Sequence, residues 1–385
     1  MMSWIPLVSA MPSLPSSGSL PPRFAHAKPL EAAVLTGDEM GSVLAGIVAV
    51  AAVLTAAFVV LGGPGKWRAF RDGQRVGLAG AKRRTLAASR GTPRDVGQAA
   101  ALSWLHRNAV DLAQEDFSDL VLDGVEMENA RLEGVSFARS SLKRARMARI
   151  MLRGATLSGA NLNEANLANA NLRAADMADA NLVRASLPDA DLSELRAPRI
   201  LANEAKFWDC DLNGAILEDA VLEHAEFTGA TLTGCNLNRA ALGYAALDGT
   251  CMQRALLNGA HLDSATLQKA DLRKVELLEA NLSNADLEQA NLTWVHAEGA
   301  DFSYAHLAGA SLAGAVLTGA EMTGAVLDGA DITGADFTGA RNLTAEQIAA
   351  AYYRGAEDPD TEARNQPKLP LGIPLPPVRK PQGGY

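Results

Sequence analysis

Side chains that bind metals or act as nucleophiles are scarce in this sequence of 385 residues, which holds six histidines and three cysteines. The middle of the chain carries His224, His261, His296, His306, Cys210, Cys235 and Cys251. Imidazole and thiolate groups are the usual ligands of zinc, and they must converge on one point. The chain contains no glycine-rich phosphate loop. Whether the remaining groups can meet depends on the element that carries them.

That element is a repeat of five residues. From Phe117 to Phe337 every fifth position, 45 in all, holds Leu, Phe, Met or Ile, except at Ala197, Ala202 and Ala297. Two residues before these central positions the residue is usually small, and 32 of the 45 are Ala. A spacing of two places both on one face of a short extended segment, and the other three residues suffice for a turn. The pattern predicts a coil of short extended sides whose core is completed by neighbouring coils.

Tandem units of the form A-[DN]-L-x-x occur throughout, as in ANLNE, ANLAN and ANLRA at 160–174. This motif resembles the pentapeptide repeat proteins, and the match covers 115–340, about three-fifths of the chain. The resemblance implies an all-β solenoid, a right-handed quadrilateral β-helix with four units per coil and the Leu, Phe and Ala positions inside. On that geometry the units form roughly eleven coils, on the order of 50 Å long at sheet spacing.

The implied geometry places residues 20 apart on the same face of adjacent coils. Two such series alternate in charge: Arg144, Glu164, Arg184, Glu204 and Asp179, Arg199, Asp219, Arg239. Opposite charges on adjacent rungs favour this register. Each exposed pair is worth less than about 1 kcal/mol, so the series support the register more than the stability.

The same geometry separates the groups that could do chemistry. The intervals between His261, His296 and His306 are not multiples of 20, so these side chains are expected on different faces. Cys210 and Cys235 occupy inward positions 25 apart, on different sides. We therefore expect no enzyme activity, no cofactor and no metal site, because a filled rod offers no concave pocket. We expect no disulfide framework, as suits a reducing cytoplasm.

The N-terminal segment predicts attachment to a membrane. Residues 1–40 are rich in Pro, Ser and Ala and are interpreted as disordered. Residues 41–63 contain no charge and suffice to span a bilayer, so they predict one transmembrane α-helix. A buried globular helix or a cleaved signal sequence are the alternatives. Cations follow this segment and acids precede it, which predicts a single-pass protein of the inner membrane with a cytoplasmic repeat domain.

Residues 64–92 form a basic juxtamembrane linker. Its cations nearest the span are Lys66, Arg68, Arg71, Arg75, Lys82, Arg83 and Arg84. They either lie on anionic lipid or act only as a topology signal. Nucleic acid is a poor candidate partner, because aromatic interleaving is absent and 115–340 carries 33 acidic against 17 basic residues.

Helices are expected at both ends of the repeat, where the solenoid core would otherwise be open. Residues 93–114 predict an N-terminal cap helix, with Thr92 as N-cap and Pro93 as first helical residue. Residues 341–355 predict a C-terminal cap helix, opened by the sequence of a capping box at Thr344. Residues 356–385 are rich in Pro and are interpreted as a disordered tail, with a polyproline ligand at PLPPVR as the alternative.

The motif decays between 195 and 202. Ala197 and Ala202 replace the large central residue, and Pro198 lacks a backbone donor. The phase of five is nevertheless preserved. The segment is either an outward bulge between two straight parts or a degenerate but regular half-coil.

Several outward positions hold apolar or aromatic residues where polar ones are usual. They are Ile216, Leu256 and Val316 on one face, Tyr244 and Tyr304 on another, and Trp208 and Trp294. Exposed aromatic side chains favour interfaces, so these residues could anchor an unidentified protein partner. Scattered apolar surface residues without a function are the alternative.

These observations predict a membrane-anchored, non-enzymatic scaffold that presents an acidic β-helical rod to protein partners. An alternative comes from the resemblance, since some relatives are DNA mimics that inhibit DNA gyrase. The acidic coils agree with mimicry. The predicted anchor disfavours it, because a tethered rod reaches little of the chromosome.

Overall fold

The computed structural model describes residues 98–99, 102–103, 106, 112–356 and 359–379. The predictions for 1–40, 41–63 and 64–92, including the basic residues of the linker, lie outside the described residues. Within those described ranges, no helix combines the length and apolar character needed to cross a bilayer.

The repeat folds as a β-helix with 20 residues per coil. Parallel β-bridges join residues 20 apart without interruption, from Asp116 with Ser136 to Glu321 with Arg341. Each coil therefore contains four five-residue units, and each unit contributes one bridge and one turn. The predicted solenoid and its register of four units per coil are confirmed.

Backbone hydrogen bonding explains the consensus of each unit. In the unit 165–169 the first N–H closes a turn, the second bonds to the preceding coil, and the third and fifth bond to the following coil. The fourth N–H, that of Ala168, is donated instead to Oδ1 of Asn166 at 3.1 Å. Asn or Asp at the second position thus satisfies the one amide that the ladder leaves free.

The segment 195–202, where the motif decays, is a regular half-coil and not a bulge. Arg196 and Leu201 form bridges to both neighbouring coils, as the second residue of any unit does. Pro198 occupies the fourth position, whose N–H the ladder does not use, so its missing donor costs no backbone bond. Leu195 and Ala197, the first and central residues of one unit, are buried, and so are Ile200 and Ala202 in the next unit.

At the N-terminal end, side chains of helical residues accept hydrogen bonds from backbone N–H groups of the first coil. Residues 98–99, 102–103 and 106 are helical, and Leu102 is fully buried. The N–H of Val121 donates to Oε1 of Gln98 at 2.8 Å, and that of Glu126 donates to Oγ of Ser103 at 2.9 Å. In later coils these second-position amides bond to a preceding coil, so side chains here take the place of the missing strand.

The C-terminal helix is shorter than the predicted 341–355. Helix α1 spans Ala345–Ala350, and Thr344 and Gln347 form the expected capping box. Beyond it, Tyr352 bridges to Asp331 and strand β1 spans Tyr353–Arg354. The helix ends early because the N–H and C=O of Tyr352 bond to the last coil.

The prediction that 356–385 is disordered is wrong for residues 359–379. These form helix α2, Pro359–Asn365, and strand β2, Val378–Arg379, which pairs in parallel with β1. The physical reason lies in the open edge of the last coil. The amides of Gly334 and Phe337 donate to the carbonyls of Asn365 at 2.7 Å and Lys368 at 2.8 Å. Unpaired backbone groups at the end of the solenoid thus recruit the tail.

Candidate functional site

The predicted charge series are present on two corners of the coil, where they resolve into separate ion pairs. The shortest N–O distances are 2.7 Å for Arg144–Glu164, 2.9 Å for Arg184–Glu204, 2.7 Å for Arg199–Asp179 and 2.8 Å for Arg239–Asp219. Hydrogen bonds from the guanidinium groups lower the pKa of all four carboxyl groups. These cations and anions are therefore already paired with each other within the fold.

The buried cysteines are poor nucleophiles. Cys210 and Cys235 occupy first positions of their units and donate to backbone carbonyls, Cys210 to that of Leu187 at 2.9 Å. Burial raises the pKa of both thiols to about 12. Both thiols therefore stay neutral near pH 7, and a neutral thiol neither attacks a substrate nor ligates zinc effectively.

The histidines lie on separate surfaces. The ring of His224 stacks on that of Tyr244 with centroids 5.0 Å apart, and Nδ1 of His296 lies 3.6 Å from Oε1 of Glu298. His261 and His306 lie on other columns, a column being the residues at the same position of successive coils. Across the described part of the chain, no three His, Cys, Asp or Glu side chains are arranged to hold a metal.

The residues Ile216, Leu256 and Val316 do share one column, as their spacing predicts. However, polar residues separate them along that column, such as Asn236 between the first two. All three are only half-buried second-position residues. They do not form a continuous apolar surface, so their role as partner anchors stays a prediction.

Three of the four predicted aromatic anchors are well exposed. Tyr244, Trp294 and Tyr304 expose 59%, 59% and 57% of their surface, respectively. Trp208 is half-buried, and Nζ of Lys206 lies 4.7 Å from its ring centre. The Trp294 and Tyr304 rings cover the glycines of the following coil, because a Cβ at either glycine would lie 2.6 Å from the ring.

Sequence reasoning missed a continuous apolar surface on another column. Val221 bridges to Leu201 on the preceding coil and to Ala241 on the following coil, and we call these three residues the apolar strip. Leu201 is 42% exposed, and Tyr244 lies at the corner three residues after Ala241. The signal was available, because these residues are 20 apart at the second position. It appears only when every column is inspected at that interval.

A second missed feature lies on the corner that carries Trp294. Arg254, Lys274 and Trp294 occupy the fifth position of three adjacent coils, and we call them the cationic corner. Lys274, Glu276, Trp294 and His296 line an open depression of about 450 Å³ beside it. It is a shallow surface feature and does not enclose a substrate.

Comparison with known proteins agrees with the fold. The family profile described as Pentapeptide repeats matches eight copies within residues 121–195 and 203–339. The gap at 196–202 falls on the units in which Ala197 and Ala202 hold the central position. No curated protein matches the chain.

Several solved structures are similar. HetL, a pentapeptide repeat protein involved in heterocyst differentiation regulation from the cyanobacterium Nostoc sp. strain PCC 7120, is 35% identical over 50% of this chain and 88% of its own, with a TM-score of 0.36. A pentapeptide repeat protein from the Arabidopsis thaliana thylakoid lumen is 26% identical over 30% and 74%, with a TM-score of 0.21. QnrB1, a plasmid-mediated fluoroquinolone resistance protein, is 18% identical over 59% and 91%, with a TM-score of 0.26.

The family profile covers more than half of the 385 residues, and its period of five is the period that the β-bridges follow. The chain therefore belongs to the pentapeptide repeat protein family.

Proposed function

We propose that this chain is a membrane-tethered, non-catalytic docking protein that binds a protein partner along the surface of its β-helix. The observation that carries the proposal is the apolar strip. The exposed Leu201 and the half-buried Val221 and Ala241 form an apolar surface that is continuous across three coils, and the polar residues Asn181 and His261 flank it in the same column. Contiguous exposed apolar surface with a polar rim is typical of interaction sites.

The filled core supports a docking role over catalysis. The central residues of the coils are almost completely buried, and so are the small residues two positions before them. Variation in side-chain chemistry is therefore displayed on the outside of a rigid backbone ladder. A preorganised surface of this kind binds with little loss of conformational freedom.

Tyr244 strengthens the strip as a docking surface. Its ring stacks on His224, which limits its rotamers, while more than half of its surface stays exposed. A large apolar side chain of a partner could rest against the exposed part of the Tyr244 ring.

The tether rests on the sequence of 41–63, whose uncharged length suits one membrane span with the repeat domain on the cytoplasmic side. Fractionation of cells expressing the full chain and a variant lacking 41–63 tests it. The full chain is expected in the membrane fraction, and the variant in the soluble fraction. If the full chain and the variant were distributed equally between the two fractions, the proposed tether would be refuted.

DNA mimicry is the second candidate function, and one observation favours it. Between Lys274 and Arg341 the coils carry ten acidic residues and no Lys or Arg. Several of these acids serve the fold, since Asp301 and Asp331 accept the fourth amide of their own units. A supercoiling assay with the full chain in detergent decides the point. If micromolar protein does not inhibit DNA gyrase, DNA mimicry is refuted.

The docking proposal is tested by photocrosslinking in native membranes. A photoreactive amino acid at position 223, beside the strip, is combined with Leu201→Glu and Val221→Glu. The matched control is Ala246→Glu, an isolated second-position alanine on another column. We expect one defined protein adduct that falls at least fivefold with the strip variant and persists with the control. The same adducts in both variants, or none in the parent chain, would refute the proposal.

A further inference from the structure

The cationic corner differs from the corners that carry the ion pairs. In its column the residues run Gly234, Arg254, Lys274, Trp294 and Gly314, so two cations are followed by an aromatic ring and no acid. On the two corners with the alternating charge series, an arginine faces a carboxylate of the adjacent coil, as Arg199 faces Asp179 at 2.7 Å.

Arg254 and Lys274 are not accounted for by the fold. Among the described residues, neither side chain forms an ion pair or a side-chain hydrogen bond, and both are exposed. They lie on adjacent rungs, about 5 Å apart along the rod axis at sheet spacing. Like charges on adjacent rungs repel each other, so this arrangement opposes folding slightly. The pair is better suited to a ligand that carries negative charge.

Trp294 supplies a fixed apolar surface next to these cations. A Cβ at position 314 would lie 2.6 Å from Cε3 and Cζ3 of its ring, so the indole rests on the bare backbone of Gly314. The ring therefore leans away from Lys274, towards the following coil. This leaves the open depression of about 450 Å³ that Lys274, Glu276, Trp294 and His296 line.

Two apolar residues also lie on the adjoining face. Leu256 is half-buried two residues after Arg254, and Leu278 is 40% exposed. The backbone under Leu278 is held, because its N–H donates to Oδ1 of Asn258 at 3.0 Å. The corner therefore combines two free cations with aromatic and aliphatic surface.

We propose that the cationic corner binds an extended protein segment that carries both carboxylates and large apolar side chains. The carboxylates meet Arg254 and Lys274, and an apolar side chain lies on Trp294 and enters the depression. The inference rests on the proposed docking function and names the chemistry of a second docking surface, on a column other than that of the apolar strip.

Charge complementarity favours such a segment over nucleic acid. Two cations can neutralise one or two carboxylates, but the coils that follow hold only acidic charge as far as Asp336. Glu276 also lines the depression, and Glu298 lies close to it, next to His296. A continuous polyanion would be repelled along this length, whereas a short acidic and apolar segment is repelled little.

The test uses the full chain in detergent and three fluorescein-labelled decapeptides, followed by fluorescence polarisation. The first peptide contains Glu, Leu and Phe. In the second Gln replaces each Glu, and in the third Ser replaces each Leu and Phe. A labelled oligothymidine of ten nucleotides is the nucleic-acid arm.

Lys274→Glu is the test variant and Lys269→Glu is its matched control. Lys269 lies on the same coil at another corner, is exposed, and has no ion pair among the described residues, so both variants change the charge equally. A Trp294→Ala variant tests the aromatic contribution separately.

We expect the first peptide to bind with a Kd below about 1 mM, and each of the other two peptides at least fivefold more weakly. Lys274→Glu and Trp294→Ala should each weaken the first peptide at least fivefold, while Lys269→Glu changes Kd less than twofold. Binding should also weaken as salt rises.

Equal weakening by Lys274→Glu and Lys269→Glu would reduce the effect to general electrostatics and overturn the proposal. No binding of the first peptide, or tighter binding of oligothymidine that depends on Trp294, would overturn it as well. None of these results changes the crosslinks of the apolar strip, so failure here is distinguishable from failure of the docking function.

Discussion

A regular unit has a small residue in its first position and a large residue at its centre. Leu195 and Ala197 reverse this order within one unit. Leu195 is 2% exposed and Ala197 is fully buried. Ile200 and Ala202 repeat the exchange in the next unit. The total side-chain volume inside the coil is thus conserved, which explains why the backbone stays regular where the motif decays.

This exchange predicts strong coupling between the two positions. Leu195→Ala should leave a cavity and cost about 2–5 kcal/mol of unfolding free energy. Ala197→Leu should overpack the coil and cost about 1–3 kcal/mol. The double variant restores the usual order, so it should cost less than either single change. Urea unfolding followed by circular dichroism checks this, and additive losses in the double variant would contradict it.

Trp294 and Gly314 give a prediction with a close internal control. Gly314→Ala places a methyl group 2.6 Å from the indole at a backbone φ of +66°, whereas Gly319→Ala meets nothing within 4 Å at a φ of +69°. Both substitutions should cost about 1 kcal/mol through the left-handed backbone. Only the first should displace the ring and shift the Trp294 indole N–H resonance. An unchanged resonance in Gly314→Ala would show that the ring does not rest on this glycine.

The ion pairs predict a change of stability in acid. Arg199 and Arg239 hold the pKa of Asp179 and Asp219 below the ordinary value of 3.8. A carboxyl group with a lowered pKa in the folded state stabilises above its unfolded pKa, and this stabilisation is lost as pH falls through the folded value. The effect is therefore present above about pH 4 and disappears below it.

The double variant Arg199→Gln and Arg239→Gln should raise both carboxyl pKa values in an NMR titration and flatten the loss of stability below pH 4. The control Arg254→Gln removes a cation that has no acidic partner among the described residues, so it should leave these titrations unchanged. The effect on stability will be small because both pairs are exposed.

The ordered tail predicts that truncation uncovers the end of the solenoid. Removal of residues after 356 takes away the carbonyl acceptors of Gly334 and Phe337. Amide exchange at these two residues should accelerate by at least tenfold, and the urea midpoint should fall. Truncation after Arg379 leaves both acceptors in place and is the control. Equal exchange in the two truncated chains would mean that the tail does not seal the last coil.

Much of the core follows from local spacing. A large residue every five and a small one two places earlier are sufficient to predict the inward positions, and both rows are buried. The pairing of Arg144 with Glu164 follows from the interval of 20, once four units per coil are assumed. These features are predictable because each unit repeats the same local geometry.

The tail and the candidate surfaces could not be predicted in the same way. A proline-rich composition suggests disorder, but the tail is held by backbone groups of Gly334 and Phe337, which no local pattern reveals. Likewise, the isolated residues Ile216 and Leu256 attract notice in the sequence, whereas the apolar strip emerges from residues that look unremarkable one at a time.

The sequence by itself determined the period, the inward rows and hence the family and the fold. Only the tertiary structure decided which outward residues become neighbours, how Leu195 and Ala197 share one volume, and what closes the last coil. The physical reason is that burial of a small and a large residue is a local property of each unit. Surface adjacency and end sealing depend on residues 20 or more apart and on backbone groups left unpaired at the ends.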